Sequence, residues 1–406
     1  MSASRQVRPS PPPAAVATER ILPYGRQSID EADIAAVAEV LRGDWLTTGP
    51  AVAAFEAAVA RAAEVKGVVA CSSGTAALHL ALLALAPEPG AIAIVPSITF
   101  VATANAARYV GMDVVFADVD PNTGLMTPDT FLDACRRAPA QPRVVLPVDL
   151  AGQSVDKPAL ARLAAERGIA VIDDSSHAFG TWYADGSDWL AAGSCRHAQM
   201  TVFSFHPVKN ITMGEGGAVT TNDPALAESL RRLRSHGIVR APVAADGSPQ
   251  PWHYDLESLG YNYRATDIQC ALGLSQLTKL ESFRARRAAL VRRYDELLAP
   301  LAPMVRPLGR VAGCRPFWHL YVAHVDFAQG GRGRGAVMEA LRARGIGSQV
   351  HYIPVHTQPY YRDAYGEMRL PGADRYYAGA LSLPLFVGMA DEDVDRVAAA
   401  LTDALA

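Results

Sequence analysis

Short apolar runs alternate with helical patterns between about residues 30 and 220 of the 406-residue chain. The helical patterns are rich in alanine and leucine, and two of them run from Thr75 to Leu85 and from Lys157 to Glu166. Strands that are buried on both faces of a parallel sheet read as continuous apolar runs, as these do. The alternation therefore predicts an α/β fold with a mainly parallel sheet between helices. The predicted strands are Gly67 to Cys71, Ala91 to Val95, Asp113 to Ala117, Arg143 to Pro147, Ile169 to Asp173 and Met200 to Phe205.

The pattern changes in the second half of the chain. A polar stretch from Gly237 to Gly260 contains glycine and proline, which predicts a long loop or a domain connection. Apolar residues at helical spacing then run from Thr266 to about Leu298. The remainder mixes strands and helices, which we interpret as a smaller α+β domain. Its predicted strands are Trp318 to His324 and Gln349 to Ile353, and its predicted helices are Arg334 to Arg344 and Asp391 to Ala406.

We therefore divide the chain into three parts. Residues 1–20 contain the run Pro11-Pro12-Pro13 and no apolar segment of the kind found in export signals, so we interpret them as a flexible extension. Residues 21–259 form the predicted large domain, and residues 260–406 form the predicted small C-terminal domain.

Composition narrows the class of protein. The net charge of -3 gives no reason to expect a nucleic-acid partner. The stretch from Val68 to Leu85 is the most apolar, but polar residues interrupt it, so we expect no membrane span. The cysteines are odd in number and show no CxxC pairing, which predicts neither a disulfide framework nor a zinc site and indicates a reducing cytoplasm. They are Cys71, Cys135, Cys195, Cys270 and Cys314.

Open α/β sheets bind ligands at the carboxyl ends of their strands, and three predicted strand ends carry residues that are informative there. The first strand end is the segment CSSGTAAL, in which Ser73, Gly74 and Thr75 open a helix. A helix N-terminus offers unpaired N–H groups to a phosphate, and glycine lets the anion approach the backbone. The same residues also form an ordinary helix cap, so this segment alone leaves both interpretations open.

The second strand end carries the adjacent acids Asp173 and Asp174, followed by His177. A carboxylate placed on a pyridine nitrogen would keep that ring protonated and make it an electron sink. A metal site and a helix cap are the alternatives for this segment. Successive strand residues point to opposite faces, so we expect only one of the two acids to face the cleft.

The third strand end precedes Lys209, which is followed by the glycine-rich turn from Gly214 to Gly217. A single lysine is usually a surface residue. A lysine that forms a Schiff base needs a neutral amine, and burial or nearby positive charge lowers its pKa. A phosphate cradle, an acid and a lysine at three strand ends together are what a pyridoxal phosphate site requires.

These segments together resemble the sugar aminotransferases of the DegT/StrS family, which have the fold type I architecture. The resemblance extends from Leu22 almost to the C-terminus, and its most specific segment is FSFHPVKNITMGEGG, from Phe203 to Gly217. It implies a mainly parallel seven-stranded sheet in the large domain, pyridoxal 5′-phosphate as cofactor, and a homodimer with shared active sites. We predict no metal site.

The resemblance also implies roles for individual residues. Lys209 matches the Schiff-base lysine and general acid/base, and Asp174 matches the acid that pairs with the pyridine nitrogen. The other implied cofactor contacts are Phe100 stacking on the ring, His177 at the ring hydroxyl, Gly74, Thr75 and Ser204 at the phosphate, and Asn262 reaching the phosphate of the neighbouring subunit.

Within the family, the chain resembles the transaminases of pseudaminic acid biosynthesis in segments such as PWHYDLESLGYNYR, from Pro251 to Arg264, and QVHYIPVHTQPYY, from Gln349 to Tyr361. This implies transfer of an amino group from L-glutamate to C4 of a UDP-linked 2-acetamido-2,6-dideoxy-4-keto hexose. Other nucleotide-linked keto sugars are the alternative. The expected sugar contacts are Tyr24, Thr47, Thr48, Gly49, Ser73, His351 and Tyr352, and ordinary packing is the alternative for each.

The same residues argue against three rival functions. A sugar dehydratase of the family would carry histidine in place of Lys209. A non-catalytic regulatory relative would not need the lysine, the acid and the phosphate turn together. A nicotinamide oxidoreductase would carry GxGxxG after the first strand, where this chain has CSSGTA.

Overall fold

The computed structural model describes residues 21–240, 247–248 and 250–406. The predicted extension at residues 1–20 lies outside the described residues. The α-helices of the described residues are α1 (Glu31–Arg42), α2 (Pro50–Ala63), α3 (Gly74–Ala84), α4 (Val101–Tyr109), α5 (Pro128–Arg137), α6 (Lys157–Ala165), α7 (Pro224–Arg234), α8 (Asp267–Leu277), α9 (Leu280–Leu298), α10 (Arg334–Ala343), α11 (Pro359–Tyr365), α12 (Pro371–Gly379) and α13 (Asp391–Leu405). Short 3-10 helices cover Ala299–Leu301 and Val355–Thr357.

Fifteen strands lie in the same described residues. They are β1 (Gly67–Cys71), β2 (Ile92–Pro96), β3 (Asp113–Ala117), β4 (Pro142–Val145), β5 (Ala170–Asp174), β6 (Trp182–Asp185), β7 (Asp188–Ala191), β8 (Met200–Ser204), β9 (Gly217–Thr221), β10 (Ile238–Val239), β11 (Asp255–Leu256), β12 (Val305–Pro307), β13 (Cys314–Arg315), β14 (Tyr321–Val325) and β15 (Ala380–Leu383).

The central sheet has seven strands in the order β1-β9-β8-β5-β4-β2-β3. Its neighbours pair in parallel except around β9, which runs antiparallel to both β1 and β8. The prediction of a mainly parallel seven-stranded sheet is confirmed, and each of the six strands predicted from apolar runs matches a strand to within two residues at either end. Strand β9 was not predicted individually, since its five residues begin at Gly217, the last residue of the glycine-rich turn.

Two of the three hydrophobic cores among the described residues bear on the division into domains. The larger core packs the central sheet against its helices, with buried residues such as Val145, Ile172 and Val202. The second core lies among α9, α10, α13 and the antiparallel sheet β12-β14-β15. Leu22 belongs to this second core and pairs with Ile346, although it precedes the predicted small domain by more than two hundred residues. The division at residues 259 and 260 stays a prediction.

Three predicted elements differ from the structure. The helical pattern from Thr266 to Leu298 is two helices, α8 and α9, because the chain leaves helical geometry around Lys279. The predicted strand from Gln349 to Ile353 is wrong, since only Gln349 pairs, through a single bridge to Ser382. Within the predicted loop from Gly237 to Gly260, the described part contains the short pair β10-β11. No helix in the described ranges is long and apolar enough to cross a membrane.

Candidate active site

A cleft of about 600 Å³ opens at the carboxyl ends of β1, β5 and β8. It brings together eleven of the fifteen residues predicted for the site, although they are spread over more than three hundred positions of the chain. These eleven are Tyr24, Ser73, Gly74, Thr75, Phe100, Asp174, His177, Ser204, Lys209, His351 and Tyr352. The other four, Thr47, Thr48, Gly49 and Asn262, do not line it.

The start of α3 forms the anion-binding end of the cleft. The Ser73 side chain accepts a hydrogen bond from Ala76 N at 3.1 Å and so caps the helix. Gly74 and Thr75 supply the first N–H groups of α3, for which the helix has no carbonyl partner. A Cβ atom at Gly74 would lie 2.8 Å from Ser204 Cβ, so only glycine lets these segments approach so closely. The cap and the phosphate cradle are therefore compatible interpretations of one turn.

The two adjacent acids of β5 point in opposite directions, as the strand geometry predicts. Asp174 faces the cleft, where its Oδ2 accepts a hydrogen bond from Thr103 Oγ1 at 2.7 Å and its Oδ1 accepts one from Ser176 N at 3.1 Å. Asp173 points away from the cleft and pairs with Lys157 Nζ at 2.9 Å. The structure thus places Asp174, and not Asp173, where a cofactor nitrogen could meet it.

A buried ion cluster lies behind the site. Lys157 Nζ is 2.9 Å from both Asp149 Oδ2 and Asp173 Oδ2, and all three side chains are almost fully buried. Burial alone would lower the pKa of Lys157, but the two carboxylates together raise it above its usual value. Asp149 also accepts a hydrogen bond from Ser175 Oγ at 2.6 Å. The cluster therefore ties the ends of β4 and β5 together beneath the cleft.

Substitution of Lys157 by methionine is expected to lower the free energy of unfolding by about 3–5 kcal/mol, because it leaves two buried carboxylates without a cation. Denaturant unfolding of the apoprotein measures the change. Lys66→Met, at an exposed lysine, is the matched control and is expected to change stability by less than about 0.5 kcal/mol. Equal stability of Lys157→Met and the parent would contradict the pairing.

Lys209 lies in the turn between β8 and β9, and its side chain lines the cleft with Asp174. Burial lowers the pKa of its amine from the ordinary 10.5 to about 8, although the charge of Asp174 acts in the opposite direction. A substantial fraction of the amine is therefore neutral near pH 8, which is the form that attacks a carbonyl carbon.

The apoprotein is expected to capture pyridoxal phosphate faster as the pH rises through about 8. Below that pH the Lys209 amine gains a proton and loses its nucleophilic lone pair, so the rate should fall by about tenfold for each pH unit. Stopped-flow absorbance of the captured cofactor gives the profile. Burial keeps the pKa of His177 and His351 well below this window, so neither contributes. A midpoint near 10.5 would contradict a desolvated Lys209.

Neutral histidines border the lysine. His177 is buried, and its Nε2 lies 3.0 Å from Tyr352 Oη. Burial and the nearby charge of Lys209 lower the pKa of His351 to about 3, and its Nδ1 lies 2.7 Å from Ser382 Oγ. His319, whose ring centroid is 4.4 Å from that of His177, is likewise buried and neutral. Besides Lys209 and Asp174, the carboxylates of Asp149 and Glu215 line the cleft, whereas His177 and His351 are neutral.

The four predicted residues outside the cleft lie elsewhere on the same molecule. Thr47 and Thr48 are exposed, and the Gly49 N–H donates to Asp267 Oδ2 at 2.7 Å at the start of α2. Asn262 is also exposed. Their assignment to sugar and phosphate contacts stays a prediction, and it requires a second copy of the chain to bring them to a cleft.

Sequence reasoning missed three polar residues that support the site. Thr103 holds Asp174, and Thr99 Oγ1 in turn lies 2.8 Å from Thr103 Oγ1. The four-residue spacing of these threonines beside the predicted aromatic at Phe100 was the available signal. Lys157 carried no such signal, because a lysine at the start of a helix usually faces solvent.

The metal-site alternative for the segment that carries Asp173, Asp174 and His177 loses support. The described residues contain no group of three or more His, Cys, Asp or Glu side chains arranged to hold a metal ion.

The model of the DegT/DnrJ/EryC1/StrS aminotransferase family matches residues 27–402. The chain belongs to this family. It is 39% identical over 385 residues to the spore coat polysaccharide biosynthesis protein SpsC of Bacillus subtilis. The aligned region covers 94% of this chain and 96% of SpsC.

Solved structures of the family share the fold. PseC of Helicobacter pylori, an aminotransferase involved in the biosynthesis of pseudoaminic acid, matches with a TM-score of 0.86 and 30% identity, over 95% of this chain and 99% of its own. The PLP-form of Spr1654 from Streptococcus pneumoniae matches with a TM-score of 0.84 and 30% identity, over 95% of this chain and 98% of its own. The predicted fold type I architecture and the aminotransferase class are confirmed.

Aminotransferases of the DegT/DnrJ/EryC1/StrS family use pyridoxal phosphate, and the cleft fits that group. The open N–H groups of α3 and the close approach of Gly74 to Ser204 suit its phosphate. Asp174 would present a buried carboxylate to the ring nitrogen, and Lys209 would present an amine with a lowered pKa to the aldehyde carbon. These residues would hold the cofactor.

Proposed function

We propose that this aminotransferase transfers the amino group of L-glutamate to C4 of a UDP-linked 2-acetamido-2,6-dideoxy-4-keto hexose, in a pathway of the pseudaminic acid type. The observation that carries the proposal is a single cleft that holds Lys209 and Asp174 and is bordered by the segment from Gln349 to Ile353. This segment belongs to the part of the sequence that resembles the pseudaminic acid transaminases. The likeness of the whole chain to PseC supports the same choice.

The chain's own residues supply the proton transfers. Pyridoxal phosphate, when bound, withdraws electrons from the substrate carbon that carries nitrogen. Asp174 holds a proton on the ring nitrogen and is itself held by Thr103. Lys209 Nζ takes the proton from the α-carbon of glutamate as a general base and returns one as a general acid. The same groups act in the reverse order when the keto sugar accepts nitrogen at C4.

The outer part of the cleft carries polar groups suited to a sugar. Tyr24, Ser73, His351 and Tyr352 line it, and each presents a hydroxyl or a ring nitrogen. The bond between His351 Nδ1 and Ser382 fixes the orientation of the imidazole. We propose Tyr24, Ser73 and His351 as hydrogen-bonding sugar contacts and Tyr352 as a sugar contact through its ring, with Thr47, Thr48 and Gly49 supplied by a second subunit.

A second candidate is another nucleotide-linked keto sugar. The observation that favours it is the 39% identity to SpsC, whose name places it in the biosynthesis of a spore coat polysaccharide. Both candidates use the same lysine, acid and phosphate turn, because these contact the cofactor and not the sugar.

A panel of keto sugars tests the proposal. The purified holoenzyme is incubated with L-glutamate and, separately, with UDP- and TDP-linked 4-keto-6-deoxy sugars, with and without the 2-acetamido group. Mass spectrometry detects the aminated product, and NMR locates the nitrogen. We expect the UDP-linked 2-acetamido sugar to give the highest kcat/KM. A higher kcat/KM for a TDP-linked sugar without that group would establish the second candidate instead.

We also propose that the enzyme is a homodimer in the cytoplasm. The chain exposes large apolar side chains, including Trp45 (58%), Trp252 (73%) and Leu259 (85%), which are costly to leave in water. All five cysteines are free thiols, which supports a reducing compartment.

Complementation between subunits is expected if each site takes Asn262 from one chain and Lys209 from the other. The Lys209→Ala and Asn262→Ala variants are co-expressed with different tags, and the mixed dimers are isolated. One site of each mixed dimer then carries both substitutions and the other carries none, so about half the parental activity per dimer should return. The matched control pairs Lys209→Ala with Thr103→Ala, which lies in the same cleft as Lys209 within one chain. Equal failure of both pairs would place Asn262 and Lys209 of one chain in the same site, and full activity of the Asn262→Ala homodimer would place Asn262 outside the site.

A further inference from the structure

Both ring nitrogens of the buried His177 have partners within the chain. His177 Nδ1 accepts a long hydrogen bond from Ala151 N at 3.4 Å, and its Nε2 lies 3.0 Å from Tyr352 Oη. A neutral imidazole has one acceptor nitrogen and one N–H. Because Nδ1 accepts, the proton lies on Nε2 and is donated to the Tyr352 oxygen. His177 therefore has no further proton to offer to a group in the cleft.

Tyr352 ends this hydrogen-bonded chain with a proton of its own. Burial, together with the negative charge of Asp174, raises the pKa of its phenol above the ordinary value, so the hydroxyl stays protonated. An oxygen that accepts from His177 becomes a stronger donor, because successive hydrogen bonds polarise one another. The titratable groups that influence or contact Tyr352 are Asp174, Tyr24, Tyr376, His177 and His351.

The segment that carries Tyr352 is anchored on both sides. Gln349 and Ser382 exchange two backbone hydrogen bonds, of 3.1 and 2.7 Å. Tyr376 Oη donates to His351 O at 2.9 Å. The Tyr352 ring lies 6.0 Å from the Phe100 ring, measured between centroids, and both side chains line the cleft. Tyr352 is thus held close to Phe100, the residue predicted to stack on the cofactor ring.

We propose that Tyr352 donates a hydrogen bond to the phenolic ring oxygen of pyridoxal phosphate, and that His177 is a positioning residue that acts through Tyr352. The inference rests on Lys209 holding the cofactor. A donor at this oxygen stabilises its anionic form and makes it less basic. The oxygen then attracts the proton on the nitrogen that joins Lys209 to the cofactor less strongly, so that proton leaves at lower pH.

The pH titration of the visible absorbance of the holoenzyme tests this role without any sugar. Tyr352→Phe keeps the ring and removes the donor, and we expect the midpoint to move up by about one pH unit. His177→Leu should move it in the same direction and by less. The double variant should match Tyr352→Phe alone, because His177 then has nothing left to position. Tyr365→Phe, whose hydroxyl bonds Val114 N outside the cleft, is the matched control.

Two results would overturn the inference. One is an unchanged midpoint in Tyr352→Phe. The other is a double variant whose shift equals the sum of the single shifts, since this would mean that His177 contacts the ring oxygen directly. A wrong choice of sugar leaves the titration untouched, so this experiment and the sugar panel fail independently. Absence of a visible band in the parent holoenzyme would defeat the covalent role of Lys209 and this inference together.

Discussion

Lys209→Ala is expected to abolish amino transfer, with a loss in kcat of at least about 1000-fold and with the fold retained. The substitution removes both the nucleophile that holds the cofactor and the general acid/base that moves the proton, and an acid/base group alone contributes about 100- to 10,000-fold. The side chain lies in the cleft and forms no ion pair within 4 Å among the described residues, so its loss leaves the core intact. Glutamate-dependent formation of the aminated sugar measures the effect.

The control for this variant is Lys66→Ala, which removes an exposed lysine of the same charge. It is expected to retain parental activity. Thermal unfolding of the apoproteins separates loss of chemistry from loss of folding, and we expect Lys209→Ala to be at least as stable as the parent, since a desolvated amine is removed. Near-parental turnover in Lys209→Ala would refute the assignment of this lysine.

Asp174→Asn is expected to lower kcat by about 100- to 1000-fold, the range found when one preorganised electrostatic group is lost from an active site. The amide is nearly isosteric but carries no negative charge, so the ring nitrogen of the cofactor loses its counterion and withdraws electrons less effectively. Lys209 remains, so the variant should still show the visible band of bound cofactor. Single-turnover reaction with L-glutamate measures the slowed step directly.

Asp173→Asn is the matched control, because it makes the same chemical change at the next residue. Asp173 pairs with Lys157 on the other face of β5, and burial raises its pKa above the usual value. Its replacement should reduce stability while changing the single-turnover rate by less than about tenfold. A normal rate in Asp174→Asn together with a large loss in Asp173→Asn would exchange the roles of the two acids.

The sequence was informative about the fold because parallel strands are buried on both faces. Such strands must be apolar throughout, and runs such as Gly67 to Cys71 and Asp113 to Ala117 match β1 and β3 at both ends. The strand prediction was wrong where a strand-like local pattern belongs to a segment that does not pair in a sheet. The segment from Gln349 to Ile353 looks like a strand but serves to carry His351 and Tyr352 to the cleft, with only one bridge to the sheet.

By itself the sequence determined the sheet and the chemical types present at its strand ends. The order of residues along the chain places Lys209, Asp174 and the turn at Gly74 after strands. Parallel strands bring their carboxyl ends to one edge of the sheet. Only the tertiary structure decided which side chain faces which partner. It decided that Asp174 and not Asp173 faces the cleft, that Lys157 is buried, and that His177 bonds to Tyr352. The contacts concerned join residues that lie from 8 to 175 positions apart in the chain. Such contacts depend on strand facing and domain packing, and no local pattern in the chain encodes them.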